Sequence, residues 1–453
     1  MKKKKFQTKS SYHSRFAVPA SKVLPELRKH ILVDGFPIVV DLYASRPDAI
    51  VDALTGAEYL DFFTCFASMP LGFNPPELLE DDFIRYIGEL ALNKPSNSDL
   101  YTEAMATFVK TLFRIAVRKP FHYAFFIEGG ALAVENALKT AFDWKVQKNF
   151  QKGYRTEKGH RVIHFRRAFH GRSGYTLSLT NTDPTKTKYF PKFKWPRIHN
   201  PALRFPLTPA NLAQVEKEEQ RAIEQIKKAF HKYKDDVAAI IIEPIQGEGG
   251  DNHFRPEFLQ QLRSLADENE ALLIFDEVQT GVGITGTWWA YQQLGVTPDI
   301  LVFGKKMQVC GILATQRIDD IETNVFHTSS RINSTWGGNL IDMVRATRYL
   351  EVIAEQKYVQ NARKMGRYLL KQLEALQQEF PHLISNVRGR GLFCAFDLPS
   401  TELRDQFRQK LFDHHVLMLP CGEISMRFRP PLNVTRDTID QGFDRIRSVL
   451  KTF

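Results

Sequence analysis

At 453 residues the chain has room for roughly two to three domains of about 150 residues each, and 43% hydrophobic with 25% charged residues is the make-up of an ordinary globular protein. No apolar run approaches the ~18–20 residues that a membrane-spanning helix needs, which excludes that class. The formal charge of +11 invites a nucleic-acid reading, but residues 1–30 carry nine Lys/Arg against Glu26 alone, a net of +8, leaving only +3 for the other 423 residues; this is a solvated basic tail, Lys2, Lys3, Lys4, Lys5 and Lys9 foremost, on a near-neutral body.

The lysine run is not followed by the apolar core of a signal peptide, which points to the cytoplasm. Cys65, Cys310, Cys394 and Cys421 are widely spaced and form no C-x-x-C pair, so neither a zinc site nor a disulfide framework is expected. The thirteen histidines show no H-E-x-x-H spacing, and no catalytic metal is expected.

From about residue 120 to 320, short apolar runs alternate with amphipathic stretches, the pattern of a parallel α/β sheet. The runs "YAFFIE" (123–128), "RVIHF" (161–165), "VAAIIIE" (237–243), "LLIFDEV" (272–278) and "DILVFG" (299–304) read as buried strands, and residues 131–150 as a helix with Leu132, Ala133, Asn136, Ala137 and Thr140 on one face. Residues 171–208, rich in Lys, Thr and Pro, read as a long irregular insert of functional or interface character. Beyond residue 339 come two long helices, near 340–355 and 357–379, and then a smaller α+β portion: "LFCAFDL" (392–398), a helix near 402–413, "ISMRFRPP" (424–431) and a last helix from about 435.

Three stretches carry chemistry. In "EGGALAVENALK" (128–139) a strand, two glycines and a helix start present free backbone N–H groups and the positive end of a helix dipole, as a phosphate requires; a tight turn into a core helix accounts for the same letters. In "IFDEVQTGVGITG" (274–286), Asp276 and Glu277 end an apolar strand and face opposite sides, so the two acids have different tasks. An acid at the carboxyl end of a central strand lies where open α/β sheets bind ligands. In "ILVFGKKMQVCG" (300–311) two lysines follow a buried strand; a desolvated amine is the nucleophile for a Schiff base, and alternation does not choose between Lys305 and Lys306. A phosphate cradle, a carboxylate for a pyridinium nitrogen and a Schiff-base lysine are together what pyridoxal 5′-phosphate needs.

The stretches "EPIQGEGG" (243–250), "FDEVQTG" (275–281) and "PDILVFGKK" (298–306), with "DALTGAEYLDFFTCFASMPLG" (52–72) and "RFRPPL" (427–432), resemble the class III aminotransferases of pyridoxal-phosphate fold type I over nearly the whole chain. The resemblance implies an α/β fold whose large domain has a mostly parallel seven-stranded sheet, with a smaller α+β domain built from both terminal segments. The expected division is a basic tail and N-terminal segment (1–75), a large cofactor domain (76–338) and a C-terminal small domain (339–453). Lys305 is implied as the Schiff-base lysine, with Lys306 facing the other way as a local charge partner. Asp276 is implied as the pyridinium partner, Gln279 as the partner of the ring hydroxyl oxygen, and Phe169 as the stacking aromatic. Gly130 and Ala131 would give N–H groups to the phosphate, and Thr335 would reach the phosphate of the neighbouring subunit of a homodimer.

Within the family, "FFIEGGALAVENALKTAFDWK" and "SRINSTWGGNLIDMVRA" resemble the branch that moves the ε-amino group of L-lysine to 2-oxoglutarate, with the 4-aminobutyrate branch as the alternative. In that branch Arg172 would grip the carboxylate remote from the reacting amine. Arg427 would grip the α-carboxylate of glutamate, paired with Glu248 when lysine is bound and released when glutamate is bound. Arg427 and Arg429 stand at alternate positions near the end of the chain; one is expected to face solvent, and only Arg427 matches the family position. Glu243, before Pro244, reads as a structural strand-end acid. Two family elements are altered: Gly72-Phe73-Asn74-Pro75-Pro76 replaces Gly-[HY]-x-His-Pro, and Glu128-Gly129-Gly130-Ala131-Leu132 replaces Ser-Gly-[ST]-Glu-Ala. Neither change removes a group with an implied role. A competing expectation, a basic nucleic-acid-binding or cofactor-binding non-enzyme, rests on the tail alone.

Overall fold

The computed structural model describes residues 11–453; Lys2 to Lys5 and Lys9 lie outside the described residues. A seven-stranded sheet forms the centre of the larger body. In spatial order its strands are Phe121–Ile127, Cys310–Thr315, Ile300–Phe303, Leu272–Asp276, Val237–Ile242, Arg161–Phe165 and Arg197–Ile198. All neighbours run parallel except Cys310–Thr315, which is antiparallel to both strands beside it.

Both faces are covered, which is why the strands read as unbroken apolar runs. Leu301 and Phe303 join one core with Leu273, Phe275, Phe258 and Leu262, while Ile300 and Val302 join another with Ile274, Ile241 and Ala137. Helix Gly130–Gln151 lies on the second face and buries Ala133, Val134, Ala137, Leu138, Ala141 and Trp144; Leu132, expected with them, is 43% exposed. Full burial contributes about 1.5–3 kcal/mol for each large apolar side chain. The strand ends are therefore firm supports for whatever projects from them.

A strand unseen in the sequence pattern, Cys310–Thr315, follows the lysine pair at once and returns the chain against Ile300–Phe303. The two lysines are thus held in a short connection between hydrogen-bonded strands. The stretch 171–208 is less irregular than expected: it opens with helix Gly174–Leu179, includes the short turn Pro184–Lys186 and ends by adding Arg197–Ile198 to the sheet edge.

The chain ends combine. Ala49–Val51 and Glu58–Asp61 pair antiparallel, and Val416–Leu417 adds parallel to the latter. Ser385–Arg390, Phe393–Asp397, Ser425–Phe428 and Leu419–Cys421 make a four-stranded antiparallel sheet. Helices Leu340–Glu355, Tyr358–Glu379, Thr401–Asp413 and Arg436–Leu450 lie close to their expected bounds. Among the described residues no helix is long and apolar enough to cross a membrane.

Candidate active site

A cavity of about 660 Å³ opens at the carboxyl ends of the central strands. Its lining brings together Gly130, Ala131, Phe169, Arg172, Asp276, Gln279 and Lys305, residues spread over 176 positions of sequence, and adds His170, Glu243 and Val278. Thr335 is not among them; it is exposed in a turn whose carbonyl oxygens, those of Ser334 and Thr335, accept from the hydroxyls of Ser98 and Ser96.

The helix Gly130–Gln151 begins at the cavity. Gly129 has φ 96, a left-handed conformation natural to glycine, and supplies no side-chain cap. The first bond of the helix runs from Ala133 N–H to the Gly129 carbonyl, so the N–H groups of Gly130 and Ala131 stay free for an anion. Space is tight here: a Cβ on Gly130 would stand 3.2 Å from Val278 Cγ1.

Asp276 is 5% exposed. One carboxylate oxygen lies 2.8 Å from His170 Nδ1, and the other accepts from Val278 N–H at 3.1 Å. The neighbouring Glu277 points the other way, as expected, and accepts from Thr280 Oγ1 and from the backbone of Ala290 and Tyr291. Burial lifts its pKa to about 7. Glu243 accepts from the N–H groups of Phe169 and Gly247, and burial likewise lifts it to about 7. It also lines the cavity.

Lys305 has φ 47 and starts the short turn Lys305–Met307. Such a backbone costs of order 1–3 kcal/mol and persists only when its surroundings hold it. Gln308 Nε2 supplies the restraint, donating to the carbonyls of Ser68 at 2.8 Å and Lys305 at 3.3 Å. Burial lowers the Lys305 pKa, opposed by the nearby charge of Asp276.

Lys306 is not a charge partner. Its side chain is 2% exposed, and its Nζ donates to the carbonyls of Gln279 at 2.8 Å and Ala67 at 3.3 Å. Burial, then the neighbouring Lys305, pushes its pKa well below the ordinary lysine value. The carbonyl of Ala67 closes a run of four left-handed residues, Thr64 to Ala67, with φ of 41, 51, 59 and 63. Asp61 Oδ1 accepts from the N–H groups of Phe63 and Thr64, and Thr64 Oγ1 donates to the Arg429 carbonyl at 2.6 Å. Such a turn costs roughly 1–2 kcal/mol per residue; here it delivers Ser68 and Met69 to the cavity wall.

The expectation that Arg427 or Arg429 faces solvent is also corrected: they are 3% and 2% exposed. Positions i and i+2 share a face of an extended chain, so both turn inward. Arg429 is fully engaged, making two bonds to Asp251 of 2.6 and 2.9 Å, holding Gln279 Oε1 at 2.8 and 3.1 Å, and stacking on the Phe393 ring at 3.4 Å. The Gln279 amide keeps its Nε2 donor for a ligand. Arg427 donates to Glu248 at 3.1 Å, and its buried Nη1 has no partner. Glu248 also accepts from Lys186 at 2.6 Å; burial works to raise its pKa, but the two cations hold it below the usual range.

An uncapped helix start, a buried acid backed by a histidine, a fixed amide donor and a lysine in a strained turn suit pyridoxal 5′-phosphate, and they define a fold type I enzyme of that cofactor. The pattern of the family "Aminotransferase class-III" matches residues 38–450, and the chain belongs to the class III aminotransferases, enzymes that transfer amino groups with this cofactor. It is 53% identical over 425 residues to the L-lysine-epsilon aminotransferase of Mycobacterium tuberculosis, covering 94% of each chain. The structure of the lysine aminotransferase from M. tuberculosis in the internal aldimine form superposes with a TM-score of 0.94 at 51% identity, over 96% of this chain and 100% of that one. The mitochondrial 4-aminobutyrate aminotransferase of Homo sapiens is 31% identical, over 87% of this chain and 81% of its own.

Proposed function

We propose that the protein moves the ε-amino group of L-lysine to 2-oxoglutarate, giving 2-aminoadipate 6-semialdehyde and L-glutamate. The observation that carries the reading is that the buried Arg427 pairs with the half-buried Glu248, while a second arginine, Arg172, is exposed at the cavity and forms no ion pair among the described residues. The identity of 53% to a lysine-epsilon aminotransferase, against 31% to a 4-aminobutyrate enzyme, supports lysine over the shorter amino acid.

Pyridoxal phosphate, when bound, supplies the carbonyl that accepts the amino group and a ring that withdraws electrons. The protein's part follows from its residues. Gly130 and Ala131 would hold the phosphate through their N–H groups, Phe169 would cover the ring, and Gln279 would donate to the ring oxygen. Asp276, aligned by His170, would hold the proton on the ring nitrogen. Lys305 would hold the cofactor through its Nζ, and the same Nζ, when free, would take the proton from Cε of the substrate. Arg172 clamps the α-carboxylate of lysine, which directs the ε-amine rather than the α-amine inward.

Arg427 is reserved for the second substrate. Lysine offers it no anion, and an unpaired buried guanidinium would cost several kcal/mol, so Glu248 pairs with it during the first half-reaction and yields to the carboxylate of 2-oxoglutarate in the second. Thr335, exposed and away from its own cavity, reaches the phosphate in the neighbouring subunit of a homodimer.

The reading is tested by incubating the purified protein with 2-oxoglutarate and a panel of amines and quantifying glutamate. L-lysine should be the preferred donor; equal or faster glutamate formation from 4-aminobutyrate would replace it. In the same assay Arg172→Met should raise KM for lysine roughly 100-fold, the loss of a bidentate charge-assisted contact worth about 2–3 kcal/mol. An unchanged KM would remove Arg172 from the clamp.

A further inference from the structure

Glu248 has a second cation besides Arg427, and the two differ in mobility. Arg427 sits on the strand Ser425–Phe428, is 3% exposed and cannot follow a departing carboxylate. Lys186 comes from the 171–208 stretch, with its side chain 27% exposed; its Nζ lies 2.6 Å from Glu248 Oε1, while Arg427 holds Oε2 at 3.1 Å. One carboxylate therefore bridges a fixed guanidinium and a flexible ammonium.

The loop that carries Lys186 is anchored at its base. Asn181 donates to the carbonyls of Phe165 and Leu179 and accepts from Arg167 N–H, and Asp183 caps the turn Pro184–Lys186 through Thr185 N–H at 2.8 Å. The ammonium also lies 5.7 Å from the centre of the Phe169 ring, which lines the cavity. The backbone is thus placed, and the four-carbon stem of the lysine is left to adjust.

We infer that Lys186 is a positioning residue for the exchange of substrates: it retains Glu248 when 2-oxoglutarate takes over Arg427. The inference rests on the proposed roles of Arg427 and Glu248. Its logic is differential. With Glu248 on Arg427, loss of Lys186 removes one of two cations. With Glu248 displaced, loss of Lys186 removes the one of these two cations that still holds it, and the carboxylate is left beside an incoming dianion. Only a group that interacts more strongly with one state than the other can move the balance between them, and Lys186 meets that condition for the displaced state.

The experiment compares Lys186→Met, Lys186→Arg and Arg427→Met in the holoenzyme. Steady-state kinetics give KM for each substrate, and calorimetry gives the affinity for glutarate, a five-carbon dicarboxylate that cannot be transaminated. Lys186→Met should weaken glutarate and raise KM for 2-oxoglutarate roughly tenfold, leave KM for lysine within about twofold, and be rescued by Lys186→Arg. Unchanged glutarate affinity in Lys186→Met, while Arg427→Met loses it, would overturn the role of Lys186 alone. A parallel rise of both KM values would reduce Lys186 to a support of the loop and overturn it likewise. Unchanged glutarate affinity in Arg427→Met would remove the proposed role of Arg427 and this inference with it.

Discussion

Lys305→Ala should abolish the visible absorbance band of lysine-bound pyridoxal phosphate and lower turnover by at least about 10⁴-fold, whereas Lys306→Met should keep the band. The loss combines a missing covalent anchor with a missing proton carrier, and general acid–base catalysis alone accounts for about 10²–10⁴. Ease of deprotonation does not choose between the two, since burial lowers the pKa of both Lys305 and Lys306. Geometry decides. Lys305 lines the cavity beside Asp276, while both recorded bonds of Lys306 go to carbonyls of the surrounding loops, on Gln279 and Ala67. Methionine at 306 conserves volume but leaves these carbonyls without their donor, so a lowered melting temperature accompanies the retained band. A band lost at Lys306→Met and kept at Lys305→Ala would exchange the two assignments.

The same pair marks how far the sequence could be read. Strand ends were legible because buried parallel strands are continuous apolar runs, and Asp276 and Lys305 follow directly on such runs. That Glu277 turns away from Asp276 needed only the period of two. What lay out of reach depends on contacts distant in sequence. His170 meets Asp276 across 106 positions, and nothing in "FHG" tells a buried partner from a surface imidazole. Arg429 looked spare beside Arg427 because its partners, Asp251 and Gln279, stand 178 and 150 positions away. The left-handed run at Thr64 to Ala67 carries no glycine, so its letters announce no turn; a local cap from Asp61 and tertiary bonds with Arg429 and Lys306 hold it. Nothing in the Lys-rich stretch 171–208 marks Lys186 apart from its neighbours; only the fold sets it against Glu248.

Asp276→Asn should slow the first half-reaction about 10³-fold, measured as the decay of the visible band after L-lysine is added to the holoenzyme. The substitution is nearly isosteric, so the loss reports charge more than shape. An opposed pair of unit charges about 4 Å apart at an effective dielectric near 20 gains about 4 kcal/mol, which corresponds to roughly 10³ in rate when the contact is needed most in the transition state. The surroundings keep that charge available: His170 approaches one carboxylate oxygen at 2.8 Å, and the other already accepts from Val278 N–H. His170 Nε2 is buried without a partner, so the ring is oriented through Nδ1 alone. Glu277→Gln provides the contrast. It removes an equally buried acid from the opposite side of the strand, where the carboxyl serves Thr280, Ala290 and Tyr291, and it should lower the melting temperature while leaving the half-reaction within about tenfold. If Asp276→Asn reacted within tenfold of the unaltered enzyme, a charged partner for the ring nitrogen would not be what this strand end provides, and the proton would have to be held there by a neutral donor.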